Sequence, residues 1–216
     1  MGDLIIKPAS SGNLKIQDQG GTERISLNTS GITTFAANVA LSDTMTGGTI
    51  GSAVTFPTGV FIGMAFLADV TDGYGGASSE SATLRTLNQN IFNINCPTTI
   101  SSNEFSFDQS GTYIIYASAP AFRSERHILR LSDDSGSSFI GVGSAEFNVN
   151  SNSATTRSFL CKNVTISSAQ ITGGGSQRDF GFWHIVDSAK STDGLGQGNN
   201  DTTTEQNLQV QIFRLA

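Results

Sequence analysis

The chain has 216 residues, of which 14% are charged and 37% are hydrophobic, and its formal net charge at pH 7 is −6. This balance disfavours both a charge-driven disordered chain and a membrane-embedded one. A nucleic-acid-binding protein needs clustered positive charge, whereas the 12 Lys and Arg residues are scattered along an acidic chain. We therefore expect no nucleic-acid partner.

The first forty residues read as short β-strands. The start, Met1 to Pro8, lacks the basic region, apolar stretch and cleavage site of a secretory signal, so we expect synthesis in a cytoplasm. Alternating apolar residues in NLKIQ and RISLN predict two strands, which cannot bury their apolar side alone. We expect copies of the chain to cover it in a shaft, through Leu14, Ile16, Ile25, Leu27, Ile32 and Phe35.

A boundary follows the predicted shaft. The stretch from Ser42 to Thr58 is rich in Gly, Ser and Thr, and Pro57 cannot donate a hydrogen bond into a central strand. The sequence thus predicts an N-terminal attachment and β-shaft segment at 1–55 and a head at 56–216.

The predicted head consists of strand after strand. Its strand-like segments are VFIGMAFLAD, TLRTLNQNIFNI, EFSFD, GTYIIYASA, HILRLSD, SFIGVGSAEF, TRSFLCKNVTIS, DFGFWHIVDSA and LQVQIFRL. Turn clusters separate them, and no segment has a sustained helical period, so we expect an all-β sandwich or jelly roll. The longest apolar run, Val60 to Ala68, is far shorter than the ~20 residues of a membrane helix, and we expect no membrane insertion.

Catalytic or metal-binding patterns are weak in this sequence. His127 and His184 lie inside predicted strands among apolar residues, which indicates structural histidines. Cys96 and Cys161 are interpreted as small buried residues, since two cysteines make no disulfide framework. No ligand set has the spacing of a metal site, so we expect no enzyme activity, no metal and no cofactor.

Acidic turns and aromatic residues also have structural interpretations. The turns at Asp69 to Asp72 and at Asp133–Asp134 lack the spacing of a calcium loop and are interpreted as solvated turns. Aromatic residues recur at strand spacing and are predicted to form core: Phe105, Phe107, Tyr113, Tyr116, Phe180, Phe182 and Trp183. Tyr74, isolated in a Gly-rich loop, is the exception.

Several motifs together resemble a known family. TFPTG, LRTLN, FSFDQSGTYIIYASAPAF, HILRL and the GLGQG loop before NLQVQIFRL are similar to the C1q/TNF-like heads of bacteriophage virion fibres, over Val54 to Ala216. The N-terminal segment looks like the β segments that precede such heads in tail fibres. The resemblance implies a homotrimer of jelly rolls on a trimeric shaft, in an exposed virion protein without catalytic activity.

The resemblance leaves three functions open. The first is a tail fibre or receptor-binding protein whose head binds a host surface glycan or protein and whose N-terminal segment docks on other virion proteins. The second is a capsid-surface fibre or decoration protein, favoured by the short chain. The third is a polysaccharide depolymerase, for which no pair of cleft carboxylates can be read.

The predicted topology also locates a binding surface. In the jelly roll that the resemblance implies, the last strand, Leu208 to Leu215, should run antiparallel to the first head strand, so the loops Asp69 to Ala82 and Ser188 to Gln206 should share the distal tip. Long polar loops on a rigid scaffold are typical binding elements. If the ligand is a glycan, Tyr74 would stack on it, while hydrogen bonds would come from Asp72, Asp193, Asn199 and Asn200.

Overall fold

Every regular element that the computed structural model describes is a β-strand, which confirms the all-β prediction. The described residues are 14–17, 19–27, 33–35, 61–151, 154–198 and 204–215. The chain divides into two compact units, Met1–Val54 and Thr55–Ala216, which are taken here one at a time.

The N-terminal unit contains a three-stranded antiparallel sheet. Its strands are β1 (Leu14–Gln17), β2 (Glu23–Leu27) and β3 (Thr33–Phe35), in the order β1-β2-β3. The register sets Leu14 opposite Leu27, Ile16 opposite Ile25, and Ile25 opposite Phe35. Ile16 is 53% exposed within one chain. Ile32 lies outside the described residues, and the trimeric shaft stays a prediction.

The head contains two main sheets. The five-stranded sheet has the order β12-β9-β14-β4-β6 and is formed by β4 (Phe61–Thr71), β6 (Gln89–Ile94), β9 (Gly111–Phe122), β12 (Thr155–Ile166) and β14 (Glu205–Leu215). The four-stranded sheet has the order β11-β10-β13-β5 and is formed by β5 (Thr83–Leu84), β10 (Glu125–Ser132), β11 (Gly141–Asn148) and β13 (Gly181–Val186). A hairpin of β7 (Thr98–Ser101) and β8 (Glu104–Phe107) adjoins it through a bridge between Phe105 and Phe180.

Successive strands of the head move between the two sheets. The chain passes from β9 to β10 and β11 in the other sheet, returns to β12, crosses again to β13 and ends in β14. As a result β12 pairs with β9, and β13 pairs with β10. This crossing pattern is that of a jelly roll, so the predicted fold of the head is confirmed.

Side chains that alternate along the strands fill the space between the sheets. On β9 and β14 the inward positions include Ile115, Ala117, Val210 and Ile212, all buried. At the end of the core where β9 begins, aromatic rings replace aliphatic chains: Phe105, Phe107, Tyr113, Phe180 and Phe182 are fully buried. We call this cluster the aromatic end.

The structure corrects the prediction of one long strand across TLRTLNQNIFNI. The segment forms β5 in one sheet and β6 in the other, because the chain crosses the core between them. Arg85 N–H donates to Phe182 O in the four-stranded sheet at 2.7 Å, and Asn88 N–H donates to Ala68 O in the five-stranded sheet at 3.1 Å. The strand β7 was not predicted from the sequence.

Three predictions of burial are also wrong. Tyr116 (44% exposed) and Cys161 lie on the outer face of the five-stranded sheet, because strand alternation assigns the inward positions to their neighbours. Trp183 is only partly buried. In the opposite direction, Asp69 is not in a solvated turn: β4 continues to Thr71, and Asp69 is 1% exposed. Cys96 is buried as predicted.

Candidate functional site

Two long connections of the head lie at the same end of the sheets. One joins β4 to β5 at 72–82, and the other joins β13 to β14 at 187–204, of which 199–203 are outside the described residues. β14 pairs antiparallel with β4, as predicted, so the first residues of β14 lie beside the last residues of β4. The two connections are therefore neighbours.

Backbone hydrogen bonds join these two connections directly. Gly75 N–H donates to Gly196 O at 2.9 Å, and Leu195 N–H donates to Gly76 O at 3.0 Å. A Cβ at Gly75 would overlap the Leu195 carbonyl, so this close approach requires glycine. Gly76 has a φ of 102°, which side chains rarely adopt.

The predicted receptor-contact residues lie on these connections. Tyr74 is 53% exposed, Asp72 is exposed and Asp193 is partly buried. The structure thus places three of the five on paired loops. Asn199 and Asn200 lie outside the described residues, so their positions stay predictions.

Two further connections meet the first two. Asn148, at the end of β11, is buried: its Oδ1 accepts from Ser124 N–H at 2.6 Å and its Nδ2 donates to Ala121 O at 2.9 Å. This fixes the β9–β10 turn against the β11–β12 connection. Asn150 Nδ2 then donates to Ser188 Oγ at 3.0 Å. We call this end of the head, with its four connections, the loop end.

The core beneath the loop end is polar. Arg85 is fully buried, and its guanidinium donates to Pro120 O at 3.1 Å and to Asn207 O at 2.8 Å. Burial lowers the pKa of Arg85 to about 9, an effect that the negative charge of Asp69 partly offsets. Burial likewise raises the pKa of Asp69, against the lowering effect of its hydrogen bond with Thr71.

Two histidines lie in this polar core. His127 Nδ1 and His184 Nε2 are 2.9 Å apart, and His127 Nε2 is 2.7 Å from Thr156 Oγ1. Burial lowers the pKa of His127 to about 4, and burial together with the nearby Arg85 charge lowers that of His184 well below its usual value. Both rings are therefore neutral at pH 7. Both lie buried in strands, at the positions where the sequence predicted strand histidines.

The described part of the chain contains no cluster of three or more metal-ligating side chains. It also contains no helix long and apolar enough to cross a membrane. The acidic turn residues have protein partners instead: Asp133 accepts from Arg178 Nε at 2.7 Å, and Asp134 accepts from Ser138 N–H at 2.8 Å.

A second candidate surface is the outer face of the five-stranded sheet. Strand pairing aligns its side chains in rows across all five strands: one row is Ile94, Met64, Phe213, Ile114 and Asn163, and the next is Phe92, Phe66, Gln211, Tyr116 and Cys161. None of these side chains carries a charge. We call these two rows the uncharged face.

The uncharged face is not covered within one chain. Tyr116 and Ile94 are 44% and 58% exposed, and the Tyr116 ring meets Phe213 edge to face at 5.8 Å between centroids. A groove of about 500 Å³ opens beside Tyr116, lined by Ala117, Ser118, Phe159, Leu160, Cys161, Gln209 and Gln211. Large apolar surfaces of this kind mark interaction sites.

Sequence reasoning missed a third surface, at the loop end. Phe147 and Val149 are 61% and 42% exposed there, beside the β9–β10 turn. The segment AEFNVN places Phe147 and Asn148 on opposite faces, and hydrophobicity alone assigns Phe147 to the core. The structure buries Asn148 instead, because its amide satisfies the backbone of the neighbouring turn.

No protein-family model matches the chain, and no curated protein matches it. Crystal structures of murine APRIL at pH 5.0, 8.0 and 8.5 are similar to it, with TM-scores of 0.42, 0.41 and 0.41. Their sequence identities to the chain are 8%, 10% and 9%, and the alignments cover 70%, 70% and 71% of this chain and 98% of each APRIL chain.

Proposed function

We propose that the chain is a non-enzymatic subunit of a bacteriophage virion appendage, a tail fibre or receptor-binding protein. In this proposal the head is a homotrimer, the N-terminal segment attaches to other virion proteins, and the loop end contacts the host cell. The virion assignment rests on the sequence motifs described above.

The uncharged face is the observation that supports assembly. It presents two rows of largely apolar side chains on a protein whose net charge is −6. Burial of each large apolar side chain contributes roughly 1.5–3 kcal/mol, so several together favour association strongly. Copies of the same chain are the partners that a homotrimer supplies, and the threefold order comes from the family resemblance.

The arrangement of the head supports contact through the loop end. Four connections meet there, and backbone hydrogen bonds between Gly75 and Gly196 and between Leu195 and Gly76 hold two of them in place. Loops fixed on a rigid scaffold are where binding residues concentrate. The uncharged face is used for assembly in this proposal, which leaves the loop end free for a ligand.

The assembly is tested by one charged substitution with a matched control. Tyr116→Asp places an unpaired carboxylate on the uncharged face, and sedimentation should show a weaker trimer, which dissociates at protein concentrations at which the wild type stays trimeric, because an uncompensated buried charge is costly. Tyr74→Asp alters a tyrosine of similar exposure at the loop end and should leave a trimer. A wild-type monomer, or a trimer that tolerates Tyr116→Asp, would contradict the assembly.

The role in the virion is tested by location and competition. Gold-labelled antibody against the chain should decorate the tail of the particle, and free protein should block adsorption to host cells. Label on the shell with no effect on adsorption would instead identify a capsid-surface fibre or decoration protein.

A further inference from the structure

A groove of about 680 Å³ opens at the loop end, away from the uncharged face. Its lining residues are Arg123, Glu125, Phe147, Val149, Asn150 and Ser151. They come from the β9–β10 turn, the start of β10, the end of β11 and the connection that follows it. We call it the Phe147 groove. It is an open groove on the surface of the head and not an enclosed cavity.

The floor of the groove is apolar and open to water. Phe147 is 61% exposed and Val149 is 42% exposed, and both lie outside the hydrophobic core. Phe147 pairs with Arg126 across the β10–β11 ladder, on the face of the sheet turned away from the core. An exposed aromatic ring beside polar groups is a surface on which a ligand with an apolar face can stack.

The rim of the groove carries two opposite charges. Arg123 Nε donates to Asn150 O at 2.9 Å, which orients the guanidinium. The guanidinium carbon of Arg123 lies 5.8 Å from the centre of the Phe122 ring. Among the described residues, its two terminal nitrogens and the Glu125 carboxylate have no hydrogen-bond or ion-pair partner. The rim thus offers donors on one side and an acceptor on the other.

The rim is built into the fold. Arg123 and Glu125 have φ angles of 52° and 59°, in the left-handed region, and Ser124 between them is held by the buried Asn148. On the other side, the Asn150 amide donates to Ser188 Oγ at 3.0 Å, and Asn150 Oδ1 accepts from the Lys190 ammonium at 2.5 Å. The walls are therefore positioned before any ligand arrives, which lowers the entropic cost of binding.

We propose that the Phe147 groove binds an electrically neutral saccharide of the host surface. A sugar ring has an apolar C–H face that can stack on Phe147, and hydroxyls that both donate and accept. Those hydroxyls fit the Glu125 carboxylate and the Arg123 guanidinium together, whereas an anionic ligand would pair with Arg123 alone and a cationic one with Glu125 alone. This inference deepens the proposed function and rests on it, and it moves the stacking platform from Tyr74 to Phe147.

The test uses the full-length protein and an array of purified bacterial surface polysaccharides, neutral and acidic, followed by calorimetric titration of the polysaccharide that binds best. Phe147→Ala and Glu125→Gln should each weaken binding at least tenfold. Val142→Ala is the matched control, since Val142 lies on the same strand with 60% exposure but outside the groove, and it should bind as the wild type does. Thermal melting and sedimentation confirm that each variant is folded and assembled.

The outcomes separate this inference from the proposed function. Binding confined to acidic polysaccharides, or unchanged by Phe147→Ala and Glu125→Gln, overturns the saccharide groove. A protein that blocks particle adsorption but binds no polysaccharide overturns the groove and keeps the host-binding function, with a protein receptor. A protein that binds neutral polysaccharide through the groove but does not affect adsorption keeps the groove and overturns the host-binding function.

Discussion

The two ends of the head core have opposite chemistry. At the aromatic end, Phe107 stacks on Tyr113 with ring centroids 3.9 Å apart, and the rings of Phe105, Phe107 and Phe180 all contact one another. At the loop end, a buried arginine and two buried histidines lie among hydrogen-bonded amides and hydroxyls. One pair of sheets therefore continues from an apolar core into a polar one.

This difference indicates how the fold divides stability from positioning. Ring packing contributes stability without fixing any particular loop, whereas each buried hydrogen bond specifies one backbone segment. Arg85 joins the end of β9 to the start of β14, and Asn148 joins the β9–β10 turn to the end of β11. The polar core beneath the loop end thus holds in place the connections that we propose to contact a ligand.

The largest expected effect is at the aromatic end. Phe107→Ala should lower the free energy of unfolding by about 3–5 kcal/mol, because it removes a fully buried ring and leaves a cavity among other rings. Urea denaturation followed by tryptophan fluorescence measures it. Phe147→Ala, at a ring 61% exposed, is the control and should change stability by less than about 1 kcal/mol. Equal losses at the two sites would mean that the aromatic end is not the main source of stability.

A smaller effect, specific to the polar end, is sensitivity to acid. The folded-state pKa of His127 is about 4, below the unfolded value of about 6.5, so the unfolded chain takes up a proton first as the pH falls. The free energy of unfolding should therefore fall as the pH drops below about 6.5. His127 alone should lower it by about 2 kcal/mol between pH 7 and pH 5. His184 acts in the same direction. Urea denaturation midpoints at pH 7, 6 and 5 measure how steeply the stability falls with pH.

The variant His127→Gln identifies the source of that slope. The substitution removes one titrating group, so the free energy of unfolding should fall much less between pH 7 and pH 5 than in the wild type. This holds even if the substitution changes the stability at pH 7. Asp69 acts in the opposite direction, since its raised pKa means that the folded state gains stability on taking up a proton. A slope unchanged by the substitution would show that the histidine pair does not control acid sensitivity.

The smallest difference is between two ion pairs, one at each end. Arg178 and Asp133 are 22% and 17% exposed, and the guanidinium of Arg178 also lies 5.1 Å from the centre of the Phe180 ring. Arg126 and Asp187, at the loop end, are 78% and 46% exposed. Arg126→Ala should lower the free energy of unfolding by less than about 1 kcal/mol. Arg178→Ala should lower it by about 1 kcal/mol more than Arg126→Ala does. Stability at 0.05 and 0.5 M salt checks this, since only the exposed pair should weaken appreciably with salt.

Period-two alternation in the sequence predicted most strands of the head, and the family resemblance implied the antiparallel pairing of β4 with β14. The alternation failed to predict the strands of TLRTLNQNIFNI, because the apolar pattern continues there while the backbone passes from one sheet to the other. At that crossing Arg85 is buried, and its guanidinium donates to two backbone carbonyls inside the core. A charged residue gives no sign in the sequence that it will be buried.

The candidate surfaces show the same division. Loop composition and topology were enough to bring Asp72, Tyr74 and Asp193 to paired loops, because the ends of antiparallel neighbours must meet. They could not predict that Tyr116 and Phe147 are exposed while Tyr113 is buried. Every strand has two faces, and hydrophobicity does not say which face is covered.

The sequence by itself determined the all-β class, because that class follows from local alternation, and the resemblance carried by its motifs implied that the long loops gather at one end. Only the tertiary structure decided which side of each strand is buried. That choice depends on the whole set of partners across the core: Asn148 is buried because a turn distant in sequence supplies its hydrogen bonds, and Phe147 is consequently left in the groove.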